Sequence, residues 1–149
     1  MINKVRLGVV GVGNNTSALA QGIWFYRHTG SLVGISRPQV EGLGVGDVDI
    51  VAAFALSDRK VGADLHEAIF AAPNNFPRIE PALSPAGVTV QRGLTDVTDL
   101  DRVTAALTGI EVVLYSAPSG RPETALAYAE AALAAGAAFI NTTSVSYTH

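Results

Sequence analysis

The chain of 149 residues is long enough for a single domain with a sizeable core, and 48% hydrophobic against 15% charged residues excludes a disordered chain. A net charge of −3 leaves no electrostatic footprint for nucleic acid or an anionic membrane, and the absence of cysteine excludes disulfides, thiolate metal sites and a cysteine nucleophile. The apolar run behind Lys4 and Arg6 is too short for a signal segment, and the alanine-rich stretch 125–140 is broken by Glu130 and Gly136. A soluble, cytoplasmic domain is therefore expected.

Short apolar runs alternate with helix-period segments, the pattern of an α/β protein with a mostly parallel sheet. VRLGVVG (5–11) reads as a first strand covered on both faces. A helix over 16–28 follows, with Leu19, Ile23 and Tyr26 on one face, Arg27 and His28 at its negative end and Gly30 as its stop. Residues 30–47 are a glycine-rich connection, long for a loop between helix and strand. VDIVAAFALS (48–57) is the second strand, and 58–72 is predicted as a helix with Leu65 and Ile69 on one face. Four prolines make 73–87 a loop, before a short strand at 88–93. A helix over 96–107, a strand over 111–118, a helix from Pro122 with Ser119 as its N-cap and ending at Gly136, and a strand over 137–141 complete the series. The expected fold is a Rossmann-like, doubly wound parallel sheet of about five strands.

The chemistry concentrates in GVGNN (11–15), between the first strand and the first helix. Such a turn points backbone N–H groups and the positive end of the helix dipole outward, which suits a pyrophosphate. Gly11 is expected to make the tight turn and Gly13 to clear the approach of the phosphates. Thr16 stands where G-x-G-x-x-G has its third glycine, and Asn14, Asn15, Thr16 and Ser17 offer hydrogen bonds to a phosphate or a helix cap. An acid at the end of the second strand would hold the ribose hydroxyls. Here that strand closes on Ala55-Leu56-Ser57, followed by Asp58, Arg59 and Lys60. Asp58 suits a helix cap as well as a ribose, and the two basic residues leave room for a 2′-phosphate, so the residues do not separate NAD from NADP.

VRLGVVGVGNNTSALAQG, the segment from VDIVAAFALS through AIFAAPNN, GVTVQRG and AYAEAALAAGAAFIN occur in that order from Val5 to about Asn141. Together they resemble the cofactor-binding part of inositol-3-phosphate synthase of the actinobacterial and archaeal type. The most specific pieces are GVGN with its following serine, KVGxDL with AIFAxxNN, and VTVQRG. In that family the turn is of the GxGN type, and a third glycine is not required. The resemblance implies a Rossmann-like domain binding NAD, joined to a second domain for catalysis and assembly. The family converts glucose 6-phosphate to inositol 3-phosphate by oxidation, enolisation, cyclisation and reduction, with no net redox change. By position it places Gly11, Gly13, Asn14 and Asn15 at the pyrophosphate and assigns nucleotide contacts to Asp64, Tyr128 and Thr108. Tyr128 equally suits a helix residue with its ring half in the core.

This sequence departs from the family in three ways. The Asp-Val-Asp ending of the second strand is replaced by Ala55-Leu56-Ser57, the segment after VTVQRG is shorter, and the lysine-rich active site has no counterpart. The two lysines, Lys4 and Lys60, are not where that chemistry needs them. The expectation is a cofactor-binding unit, residues 1–149, that lacks the catalytic and oligomerisation domain and is inactive alone. The alternative is a non-catalytic nucleotide-binding or assembly module. A second chain carrying the catalytic half and homo-oligomerisation through open sheet edges are the partners this implies. His28, His66 and His149 lack ligand spacing, so no metal is expected. Asn74-Asn75 reads as a turn, and Arg92, at a strand end, as a phosphate contact or a surface charge.

Overall fold

A computed structural model describes residues 4–95, 99–118 and 120–143. Five strands form one parallel sheet: β1 (Val5–Val10), β2 (Val48–Ala55), β3 (Gln91–Arg92), β4 (Val112–Tyr115) and β5 (Ala138–Asn141). The helices are α1 (Asn14–Thr29), α2 (Leu65–Ala68), α3 (Leu100–Ala106) and α4 (Pro122–Ala134). The strand order is β3-β2-β1-β4-β5, so the chain reverses direction across the sheet between β1 and β4. That reversal opens a crevice at the carboxyl ends of the strands.

The alternation of side chains along the strands builds two cores, one on each face. Val10, Phe54, Val113 and Tyr115 pack with Val103 and Leu107 of the α3 segment and with Tyr128 and Ala131 of α4. Leu7, Val9 and Ala53 point the other way, against Ala20, Leu65 and Ile69. β1, central in the sheet, is buried on both faces over Leu7–Val10, as the lack of charge after Arg6 predicts.

The first helix begins two residues earlier than expected, at Asn14, and stops at Gly30, whose φ of 68° and N–H bond to the Tyr26 carbonyl close it. Arg27 bonds the carbonyls of Gly46 (2.9 Å) and Val48 (2.6 Å) and the Asp49 carboxylate (2.7 Å). It thereby pins the end of the long connection to the helix.

The helix predicted over 58–72 is corrected to a run of turns followed by the single-turn α2. Gly62, at φ +90°, sends the chain instead toward residues 88–90. The Gly62 and Leu65 N–H groups bond the Val90 and Val88 carbonyls, and the Val90 N–H bonds Ala63. Because those residues are occupied there, only Gln91–Arg92 of the expected 88–93 strand joins the sheet, beside Phe54 and Ala55 of β2. α4 starts at Pro122 as predicted, with Arg121 at the N-cap position. Ser119, His149 and residues 96–98 lie outside the described residues. No helix among the described residues is long and apolar enough to cross a membrane.

Candidate functional site

The turn after β1 explains its two glycines differently. Gly11 sits at φ +98°, with its N–H on the Phe54 carbonyl at 2.9 Å. A Cβ there would meet the Ala117 nitrogen and the Ser116 carbonyl carbon at 2.8 Å, so the end of β4 leaves no room for a side chain. Gly13 precedes α1 with no side-chain cap, and a Cβ built on it meets nothing within 4 Å. Open space thus lies before the helix N-terminus, where an anion is stabilised by N–H groups and the dipole. Thr16 is 1% exposed and its hydroxyl donates to the Gly11 carbonyl at 2.6 Å. The residue in the third-glycine position therefore closes the turn from inside.

Around this turn lies a cavity of about 380 Å³ formed by the carboxyl ends of four strands. Val10–Gly13, Phe54–Ser57, Gly93-Leu94 and Ser116–Pro118 line it, with Lys60, Pro73, Asn74, Thr124 and Tyr128. Tyr128 belongs to the wall and to the core at once. It is 2% exposed, lies against Tyr115 and Phe54, and accepts the Leu94 N–H at 2.7 Å. Burial raises the pKa of its phenol, and the neighbouring Tyr115 adds to that against the opposing effects of Leu94 N–H and Arg102, so it serves as a neutral hydrogen-bonding group. A Cβ on Gly93 would come within 2.7 Å of that phenol oxygen, which explains the glycine after β3.

Lys60 is the site residue whose role the sequence hid. Its side chain is carried back under the glycine turn by the turns after β2, and it is 5% exposed. The ammonium donates to the Val12 carbonyl (2.6 Å) and to Asn74 Oδ1 (2.7 Å). Asn74 Nδ2 in turn donates to Val12 (3.0 Å) and Ile69 (2.9 Å) carbonyls. The sequence places Lys60 in a charged run of three, which signals a solvated surface; only its partners 48 and 14 residues away reveal the burial.

The other predicted residues divide. Gly11 and Gly13 line the crevice, as does Tyr128. Asn14 is committed to the proline-rich loop: its Oδ1 accepts the N–H groups of Asn75 and Phe76 (2.9 Å each), and its Nδ2 donates to Asn75 Oδ1 (2.7 Å). Asn15 is exposed in the first turn of α1, and Ser17 is buried with its hydroxyl accepting from Gln21 at 3.2 Å.

Asp64 caps α2 and receives the N–H groups of His66 (2.9 Å), Ala86 (2.9 Å) and Gly87 (2.8 Å). Burial raises its pKa, but these N–H groups and the charge of His66 outweigh that and hold it below the ordinary aspartate value. Asp64 does not line the crevice. Neither does Thr108, which is exposed in the turn between α3 and β4, at the amino end of that strand. A connection leading into a parallel strand lies at the sheet edge opposite the crevice.

Where β2 ends, Ser57 is the polar residue of the strand terminus that lines the cavity. Asp58 points to solvent and pairs with Arg92 at 2.5 Å, and Arg92 also bonds the Leu56 carbonyl. Arg92 therefore ties β3 to the end of β2. Among the described residues, no three His, Cys, Asp or Glu side chains converge as a metal set.

Strand order, glycine turn and crevice define a Rossmann-like α/β domain with a cavity at its switch point. Comparison of the sequence identifies the particular relatives. The chain is 35% identical to the inositol-3-phosphate synthase of Mycolicibacterium smegmatis, over 93% of this chain and 43% of that protein. It is 36% identical to that of Mycobacterium tuberculosis, over 93% and 42%. The resemblance to inositol-3-phosphate synthase is thus shown along nearly all of this chain, which spans less than half the length of the curated relatives it matches. The crystal structure of Ari2 superposes with a TM-score of 0.86 at 39% identity, covering 94% of this chain and 46% of that one. A myo-inositol-1-phosphate synthase-related protein from Thermotoga maritima shares the fold, with a TM-score of 0.61 at 19% identity over 92% of this chain and 47% of its own. No family model matches.

Proposed function

We propose that the crevice binds a dinucleotide, NAD by likeness to the synthases, and that these residues form the cofactor-binding half of a synthase-type protein. The observation that carries this reading is the open approach at Gly13, before the N-terminus of α1 and beside a 380 Å³ cavity. The residues present fit a pyrophosphate at Gly11–Gly13. Ser57 and the wall at Gly93 and Tyr128 are the groups for the nucleoside side. NAD, when bound, supplies a hydride acceptor and donor for oxidation and return reduction of a sugar phosphate. This chain's own residues supply binding, exclusion of water by the apolar walls, and orientation.

Turnover by this chain alone is not expected. Of its two lysines, Lys4 pairs with Asp49 at the far end of β1 and Lys60 is held by neutral partners under the turn. Neither is placed to polarise a substrate carbonyl in the manner the resemblance implies. The same observation favours a second reading, a nucleotide-binding module without catalysis, for which the crevice is the functional end point.

Calorimetric titration with NAD and with NADP, followed by an assay with glucose 6-phosphate, tests both. Binding of either nucleotide without turnover is the expected result. No heat and no thermal shift with either overturns the nucleotide reading, and full turnover overturns the claim that this chain does not suffice.

A further inference from the structure

A buried ammonium ordinarily has a carboxylate beside it, because taking an unpaired charge out of water is costly. Lys60 does not. Its two protein partners are the neutral carbonyl oxygens of Val12 and Asn74, and among the described residues no carboxylate pairs with it. An ammonium carries three donors, and these bonds use two. Among the described residues that line the cavity there is no Asp or Glu, and the one formal charge of that described lining is the positive charge of Lys60. The Val12 carbonyl that holds the ammonium lies between the two glycines of the turn, one peptide from the open approach at Gly13.

We propose that Lys60 is the anion-recognition residue of the crevice, its remaining N–H and uncompensated charge supplying the counter-ion for the diphosphate of a bound nucleotide. The proposal rests on the nucleotide reading of the site and names the residue that discriminates phosphorylated from unphosphorylated ligands. The backbone N–H groups of the helix start supply partial charges, and Lys60 supplies a full one on the sheet side of the same turn. Burial lowers the pKa of this amine, so the free protein holds its charge at a cost that a bound anion removes. Asn74 and Val12 act as positioning groups that keep the ammonium at the crevice floor instead of in solvent.

The two-lysine composition makes the test direct. In the wild-type chain, isotope labelling of lysine yields two side-chain signals, with Lys4, exposed and paired with Asp49, as internal control. ADP, inorganic pyrophosphate and NAD are expected to shift the Lys60 signal and leave Lys4 in place, while adenosine moves neither. In parallel, Lys60→Met is expected to weaken ADP and NAD binding by about tenfold or more and to leave adenosine binding unchanged. A Lys60 signal unmoved at saturating ADP, or a variant that binds ADP as the wild type does, overturns the proposal. The labelling arm decides the matter if the variant fails to fold.

The two readings separate cleanly. NAD binding without involvement of Lys60 refutes this proposal alone. ADP and pyrophosphate binding through Lys60, with no NAD or NADP binding, refutes the dinucleotide reading alone. No binding of any phosphate-bearing ligand refutes both.

Discussion

At the scale of single residues, the turn is defined by what cannot be added to it. Gly11 combines a positive φ with backbone contact from β4, so Gly11→Ala meets both backbone strain and overlap with Ser116 and Ala117. The expected cost is about 3 kcal/mol or more, read as a fall in Tm of roughly 2–4 °C per kcal/mol. Alanine at Gly13 meets open space, so it meets none of the overlap found at Gly11. Asp64 is a residue whose chemistry is structural. Its folded pKa is lowered, so its carboxylate stabilises the protein at pH values above the unfolded aspartate value of about 3.9. That contribution disappears as the pH falls through the folded value. Asp64→Asn is expected to cost about 1–3 kcal/mol at neutral pH and to flatten the loss of stability below about pH 4, followed by denaturant unfolding across that range. A wild-type acid limb retained by the variant would assign the acid sensitivity elsewhere.

At the scale of elements, α1 does more than carry the glycine turn. Its buried Gln21 receives the N–H groups of Ile79 (2.7 Å) and Glu80 (3.1 Å) and donates to the Pro77 carbonyl (3.1 Å). With Asn14 on Asn75 and Phe76, two side chains about two turns apart on the same helix face clip the proline-rich loop along the helix. That loop brings Pro73 and Asn74 to the crevice, so its docking helps place Lys60. Asn14→Ala is expected to raise amide exchange at Asn75 and Phe76 about tenfold, with Ile79 and Glu80 unchanged behind Gln21. Hydrogen exchange resolved by residue checks this, and unchanged protection at Asn75 and Phe76 would rule out the clip. The sequence read this segment as loop correctly, but polar residues on a helix carry no record of which distant backbone they will hold.

At the scale of the molecule, α4 and β5 leave apolar surface uncovered. Leu126 and Leu133, two turns apart on α4, are 61% and 70% exposed, and Ile140 on the edge strand β5 is 49% exposed. An edge strand of the described sheet together with exposed leucines favours association. The chain is expected to self-associate with increasing concentration, and Leu126→Glu with Leu133→Glu to shift it toward monomer in light scattering. A wild-type chain monomeric at all concentrations refutes this expectation.

Strand and helix alternation, the glycine turn and the likeness to the synthases were all written in local patterns: apolar runs of strand length, Gly11 and Gly13 between strand and helix, Gly30 as a stop. These are legible because periodicity and backbone freedom act within a few residues. The short α2, the shortened β3, the structural duty of Asp64 and the burial of Lys60 were not legible. Each depends on hydrogen bonds between segments brought together by the sheet: Gly62 and Leu65 with Val88 and Val90, Asp64 with Ala86 and Gly87, Lys60 with Val12. The sequence alone determined that a parallel α/β sheet would carry a glycine turn between its first strand and first helix. Tertiary contact decided which side chains reach that turn, because a polar residue's partner is chosen by the fold and not by its neighbours in the chain.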